Sequence, residues 1–492
     1  MKFTTFIIII LISLIAAQAK NLGDPSTPSW DGYGKVIMDY EKCKIDKVYK
    51  NYCFDIKETD NEETYKVGEK LGDDNPTVKA FLFVNLKFGD TSLADFDFNK
   101  AVTVSTKIQN AYLEEAPYHN RKHPADMLMR LYFWFKKITE IKDENQTNKK
   151  YEFYANMKAA HERLDNLIKN NKKSLLELII AVTGHDAGHP GIANAGVCTK
   201  AITDELNLSR KILDKVCKVN EAIVEGKRNL EAYHSYITNK ILIENFPTIL
   251  GDKLESTKSK IKEIRNRDMI GLDEKDFVNN IDKYIMATNF DTGKTIKSKL
   301  IDEKLFTKIE DSDFLAFFIM ALDIANPTSP NLDESLKLSQ PVICEFITEH
   351  AFTKINEADK AAVESKKKDI KVVEEVRKIK DNSQAEIDEN LANLIAERAK
   401  AKQEGFYTKV LPEFNKNFLI TFQKSIGVRD SAYTSEKEKG NYKELEKLVG
   451  DKEKRKAYIK SLFACLAKRT TPASAGGTAP TAQKKKKTKK LK

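Results

Sequence analysis

The chain has 492 residues, 41% of them hydrophobic, 32% charged and 9% aromatic. Domains run to ~100–200 residues, so one large or two to three ordinary domains fit. Its 20 glycines and 13 prolines make about 7% of the chain, against a usual ~12%, which favours a mainly helical protein and argues against sandwiches, barrels and collagen-like repeats.

The formal net charge of +10 is unevenly placed. The last nine residues, KKKKTKKLK, hold seven lysines, and Lys2 lies in a segment expected to be removed. Setting those lysines aside leaves the rest of the chain near +2, so a nucleic-acid-binding surface spread over the fold is not indicated.

Residues 1–19, MKFTTFIIIILISLIAAQA, start with Lys2 as a short positive region, continue as an apolar run from Phe6 to Ala17 and end on Ala17-Gln18-Ala19. The run is shorter than the ~20 residues that a bilayer span needs. A secretory signal peptide cleaved before Lys20 is expected, which would place the mature chain in the secretory pathway, secreted or lumenal, with no transmembrane segment left. An oxidising compartment permits disulfides. Spacing offers Cys43–Cys53 and Cys198–Cys217 as local pairs, whereas Cys344 and Cys465 sit among apolar residues as buried thiols would. There is no CxxC, so zinc held by cysteine is not indicated. Asn145-Gln146-Thr147 and Asn207-Leu208-Ser209 are glycosylation sequons if the leader is used.

Residues 20–75 are polar, rich in Tyr and Lys, and without a clear period. Helical patterns follow almost continuously, broken by a charged, Asn-rich stretch over 138–173. Ser174 to Thr183 reads as a short, nearly all-apolar and hence buried helix. Asp313 to Leu322 reads as another, with Asp313 in an N-cap-like place. Residues 357–402 are dominated by Lys, Glu, Asp and Ala, but Ile387, Leu391, Leu394 and Ile395 keep an i, i+4, i+7, i+8 stripe. A solvated helix with one apolar face is expected there. From Thr470 the composition predicts a disordered basic tail.

Only seven histidines occur, and four form two pairs with i, i+4 spacing, His119/His123 and His185/His189. On a helix that spacing places both rings on one face. Asp186 follows His185, and Asp323 ends the apolar stretch from Asp313. A carboxylate at the end of a buried helix is costly unless it is paired or bound to metal. Imidazole with carboxylate suits zinc, manganese or iron, and carboxylate with water suits magnesium. Two spaced pairs and a buried aspartate in one helical chain favour a metal site.

Around these residues the chain resembles the class I 3′,5′-cyclic nucleotide phosphodiesterases, which are HD-type metal-dependent phosphohydrolases. Tyr118-His119-Asn120-Arg121-Lys122-His123-Pro124-Ala125-Asp126-Met127 is similar to their YHNxxHAxDV signature. His185-Asp186-Ala187-Gly188-His189-Pro190-Gly191, with Asn194, resembles HDxxHPGxxN, and Leu230-Glu231-Ala232-Tyr233-His234 resembles LENHH. Asp323-Ile324-Ala325-Asn326-Pro327 resembles the D-[IL]-x-N-P metal motif, and Lys402-Gln403-Glu404-Gly405-Phe406 the SQxGF segment. All five stand in the family's order over roughly residues 80–465.

The resemblance implies an all-α, compact multi-helix catalytic domain over 80–469, after a signal peptide (1–19) and an N-terminal extension (20–79) and before a disordered tail (470–492). His123, His185, Asp186 and Asp323 would hold a tightly bound metal, usually zinc, and Asp186 would also touch a second, usually magnesium or manganese. Such a binuclear centre activates water against a cyclic phosphodiester. His119 would protonate the departing 3′ oxygen. His189, Glu231 and His234 would orient the centre from behind. Phe406 and Val342 would clamp the purine and Gln403 would hydrogen-bond its edge, with Tyr118 and Asn326 lining the nucleotide pocket. The substrate implied is cAMP, cGMP or both, since an amide presents either donor or acceptor.

The chain departs from the pattern in places. Pro124 replaces Ala, Gly188 stands where many members have Asp, Tyr233 replaces the first His of LENHH, and Met286-Ala287-Thr288-Asn289 resembles an ATD segment with Asn for Asp. The 62 residues between His123 and His185 point to an insertion at 138–173. The charged helical insertion at about 357–402 enters between Val342 and Gln403, where it could cover the site or dock a protein partner. A homodimer is compatible with the sequence. The competing readings are a weak or inactive protein of the same fold that acts as a structural or binding partner, and a hydrolase of some other phosphoester.

Overall fold

The computed structural model describes residues 39–47, 49–57, 60, 70–88, 98–114, 116–140, 154–189, 230–245, 277–288, 310–323, 325, 332–352, 358–379, 387–405 and 452–470. They form helices joined by turns, with no strand among the described residues, as the scarcity of glycine and proline predicts. The expected signal peptide, both sequons, Cys198, Cys217 and the basic tail lie outside the described residues. No described helix is long and apolar enough to cross a membrane.

The helices in chain order are α1 (Tyr40–Ile45), α2 (Pro76–Phe88), α3 (Phe98–Gln109), α4 (Lys122–Glu140), α5 (Tyr154–Asn170), α6 (Lys172–Gly184), α7 (Leu230–Asn245), α8 (Phe277–Ala287), α9 (Asp311–Asp323), α10 (Leu332–Phe352), α11 (Lys360–Ile379), α12 (Glu389–Gly405) and α13 (Lys452–Thr470). α6 is the central strut. Leu175, Leu176, Leu178, Ile179, Ile180, Ala181 and Val182 are all buried, so the helix is apolar around its whole circumference. It packs against α2, α4, α5, α7, α8 and α9. α9 is equally enclosed, with every residue from Asp313 to Leu322 buried. α9 starts two residues before the N-cap predicted at Asp313, whose carboxylate lies in the first turn 3.0 Å from Lys283 Nζ.

The apolar residues fall into two cores. The larger is built from α2 to α9 and the first segment, with Trp134, Phe135, Phe314, Phe317 and Phe318 among its largest side chains. Truncating one of these phenylalanines to alanine is worth about 3–5 kcal/mol. The smaller core is formed by α10 to α13. The stripe read at 387–395 is real: Leu391 and Ile395 are buried, and Ile387 and Leu394 pack beside them. The charged stretch is thus two helices, α11 and α12, that seat their apolar faces on α10 and α13.

Two disulfides are present among the described residues. Cys43–Cys53 spans a Cα separation of 5.7 Å, as the local spacing predicts. Cys344 and Cys465, expected as separate buried thiols, are instead bonded to each other, with Cα atoms 6.3 Å apart. Their 121-residue separation hides the pair in the sequence, and the packing of α10 on α13 creates it. The bond closes a loop that contains α11 and α12.

One further carboxyl is enclosed in the larger core. Asp282 on α8 is fully buried and hydrogen-bonded by Ser235 Oγ of α7, which in turn accepts from Asn239 Nδ2 at 3.2 Å. Burial pushes Asp282 up to about 7, against the smaller opposing effect of the Ser235 hydrogen bond. Between pH ~4 and ~7 the folded chain holds a proton that the unfolded chain has released, so this group lowers stability as pH rises through that window, by up to about 1.4 kcal/mol per pH unit. Asp282→Asn is expected to raise the melting temperature at pH 8 more than at pH 5. An equal shift at both values would contradict the assignment.

Candidate metal centre

Three helix ends deliver four side chains that could hold a metal ion. His123 is the second residue of α4, His185 caps the C-terminus of α6 with Asp186 after it, and Asp323 is the last residue of α9. The i, i+4 histidine pairs therefore do not share helix faces. His119 lies in the turn before α4, and His189 in the turn after α6. Both pairs straddle a helix boundary, which brings their rings towards one point from different elements. Pro124 falls in the first turn of α4, where a missing N–H costs nothing. Gly188 has φ +82°, which explains glycine at a position where the phosphodiesterase pattern has Asp.

The donor atoms form a tight cage. His123 Nε2 lies 3.1 Å from His185 Nε2, 3.2 Å from Asp323 Oδ1 and 3.4 Å from Asp186 Oδ2. His185 Nε2 lies 2.9 Å from Asp186 Oδ2 and 3.6 Å from Asp323 Oδ1. Tetrahedral ligands at zinc bond lengths of ~2.0–2.1 Å stand about 3.3–3.4 Å from one another, so the cage has the size such an ion requires. Each of the four offers a nitrogen or carboxylate oxygen, the donor set that zinc accepts. His185 Nδ1 lies 2.9 Å from Val182 O and donates to it, which leaves Nε2 as the ligating atom.

Electrostatics within the cage favours a cation. Burial alone would push His185 down, but Asp186 and Asp323 hold it up to about 10. Burial would raise both carboxyls, yet the histidines beside them depress Asp323 to about 2 and Asp186 well below the usual carboxylate range. The two carboxylates thus keep a proton on His185, and a metal that binds there must displace it.

A second group, His119, Asp186 and His189, shares Asp186 with the first. His119 and His189 stack with ring centroids 3.8 Å apart, and His189 stacks on His234 at 5.4 Å. The three rings differ in charge. Burial disfavours protonation of His119, but Glu345 and Asp186 outweigh it and hold His119 up to about 9. Burial and the neighbouring His119 push His189 well below the usual imidazole range. Burial likewise lowers His234 to about 4, and its Nδ1 lies 2.9 Å from Ala187 O.

Glu345 is the residue that sequence reasoning missed. It is buried on α10, and its Oε2 lies 2.5 Å from His119 Nδ1. Its Oε1 accepts from the backbone N–H of Tyr118 at 2.8 Å and of His119 at 3.2 Å. A glutamate in a helix has no distinguishing sequence pattern, though it stands three residues after Val342 in a segment singled out for its apolar wall. Tyr112 was also missed. Its hydroxyl donates to Thr183 O at 2.8 Å and accepts from Asp186 N–H at 3.3 Å, which pins the end of α6.

The remaining expected site residues are placed unevenly. Tyr118 is half-buried beside the cage, its ring 4.4 Å from that of His123 and its hydroxyl 3.4 Å from Asp323 O. Val342 is half-buried one turn before Glu345, and Gln403 is buried on α12, which packs on α10. Asn326 and Phe406 lie outside the described residues, as does the side chain of Glu231 at the start of α7. A scan against protein-family models finds no match, and the chain matches neither a curated protein nor a solved structure.

Two outcomes test the centre. The purified chain is expected to carry zinc or a similar divalent ion, and His123→Ala and Asp323→Ala are expected to lose it by elemental mass spectrometry while keeping their helical circular dichroism. Gly184→Ala, whose new Cβ would clash with the Thr238 side chain, is expected to displace α7 from the end of α6 and weaken metal retention. Full metal content in Gly184→Ala would contradict that coupling.

Proposed function

We propose that the protein is a metal-dependent hydrolase of 3′,5′-cyclic nucleotides, acting on cAMP, cGMP or both to give the 5′-monophosphates. The observation that carries this reading is the placement of His119, its Nδ1 2.5 Å from Glu345 Oε2 and its Nε2 4.0 Å from Asp186 Oδ2 of the cage. An acid beside a metal cage is what hydrolysis of a phosphodiester needs. The motif order described above supplies the substrate class.

Zinc in the cage, with magnesium or manganese at Asp186, would neutralise the phosphate and make water a competent nucleophile near neutral pH. His123, His185, Asp186 and Asp323 would hold the zinc. His119 has the task of protonating the 3′ oxygen as the P–O3′ bond breaks and water adds to phosphorus. Its Nδ1 is committed to Glu345, so the proton to be given away is the one on Nε2. His189 and His234 form a neutral stack behind it and do not compete as acids. The purine would lie between the α10 wall that carries Val342 and the α12 wall that carries Gln403.

Metal-loaded protein is expected to convert cAMP or cGMP to the 5′-monophosphate, read by chromatography. His119→Ala is expected to lower kcat by ~10²–10⁴ with its metal content intact. Inertness towards both nucleotides would overturn the reading and leave the binding-protein alternative. His119 acts only while protonated, so activity is expected to fall as pH rises through about 9. Glu345→Gln removes the main charge that holds the proton there, and the alkaline limb of the rate profile is expected to move to lower pH. An unmoved limb would mean that His119 is not the titrating acid.

A further inference from the structure

The strongest charged feature outside the metal centre lies in the smaller core. Asp369 of α11 is fully buried and meets three basic side chains from two other helices. Its Oδ1 lies 2.7 Å from Arg398 Nε. Its Oδ2 lies 2.9 Å from Lys402 Nζ and 2.6 Å from His350 Nδ1. Arg398 is itself buried, and its NH2 donates to Ser365 Oγ at 2.7 Å, one turn before Asp369. Burial would raise the Asp369 carboxyl, but His350, Arg398 and Lys402 outweigh it and hold the group ionised.

The partners occupy telling positions. Lys402 directly precedes Gln403, the residue proposed to read the purine edge. His350 lies one turn after Phe346 and two turns after Val342 on α10, the opposite wall. Glu345, which fixes His119, is on that same helix. One carboxylate thus ties together both helices that would flank the base.

We propose that Asp369 is a positioning residue that sets the spacing of α10 and α12, and through them of Val342 and Gln403, around the bound nucleotide. This rests on the function proposed above. The charged stretch then has a role other than covering the site: its first helix supplies an internal brace. An apolar residue would pack there as well, but it would not fix the azimuth of two helices at once, because only directed ion pairs are specific to particular donor atoms.

The test uses the full metal-loaded chain and the variants Lys402→Met, Lys402→Arg and Asp369→Asn. Lys402→Met is expected to raise KM for the hydrolysed cyclic nucleotide about tenfold while kcat changes less than about threefold, because binding geometry is altered and the acid is not. Metal content is expected to stay constant, and Lys402→Arg to restore KM. A lower melting temperature with KM unchanged would show a merely structural role and overturn the proposal. Should Asp369→Asn fail to fold, Lys402→Met decides alone. If wild-type protein hydrolyses neither nucleotide, the functional reading fails by itself. Amide exchange then decides the brace. Faster exchange in both 342–350 and 398–405 on Asp369→Asn or Lys402→Met supports it, and a change confined to one segment or absent from both overturns it.

Discussion

Two carboxylates and two imidazoles crowd into one largely buried space, their ligand atoms all within 4.8 Å of one another. Asp186 and Asp323 stand at the C-terminal ends of α6 and α9, two enclosed apolar helices of the larger core. Burying an anion costs several kcal/mol unless a cation meets it. The partial negative charge at a helix C-terminus adds to that demand. The surrounding fold makes the demand unavoidable, because the enclosed apolar faces of α6 and α9 fix where those ends lie. A proton on His185 answers part of it in the absence of metal, and the cage has the size that a zinc ion requires.

The smaller core supplies what the cage lacks. Glu345 reaches from α10 into the turn before α4 and fixes both the backbone and the ring of His119. The Cys344–Cys465 bond holds the neighbouring residue of α10 to α13, and the Asp369 ion pairs hold α10 to α12. The disulfide thus anchors the helix that carries Glu345, whereas the Asp369 ion pairs join α10 to α12.

The all-helical class was legible from the scarcity of glycine and proline, and the grouping of His123, His185, Asp186 and Asp323 from the scarcity of histidine: seven in 492 residues leave few ways to arrange a cluster that could hold a metal ion. Their secondary structure was less legible. The i, i+4 spacing of His119/His123 and His185/His189 invites a helix face, yet each pair crosses a helix end, and only the positions of Lys122 and Gly184 as helix limits reveal this. Glu345 and Asp369 were illegible for a different reason. In a chain that is 32% charged, a buried glutamate or aspartate looks like its many solvated neighbours until the helices are packed. Cys344 and Cys465 show the same limit at a separation of 121 residues. The apolar stripe at Ile387, Leu391, Leu394 and Ile395 was readable, but not what it packs against.

Anomalous X-ray scattering from crystals of the full chain, collected on either side of the zinc edge, tests the cation demand most directly. The account requires a peak about 2.0–2.2 Å from His123 Nε2, His185 Nε2 and one oxygen each of Asp186 and Asp323. An ion-free cage in crystals grown with excess zinc at pH 8, its imidazoles and carboxylates simply sharing protons, would contradict it.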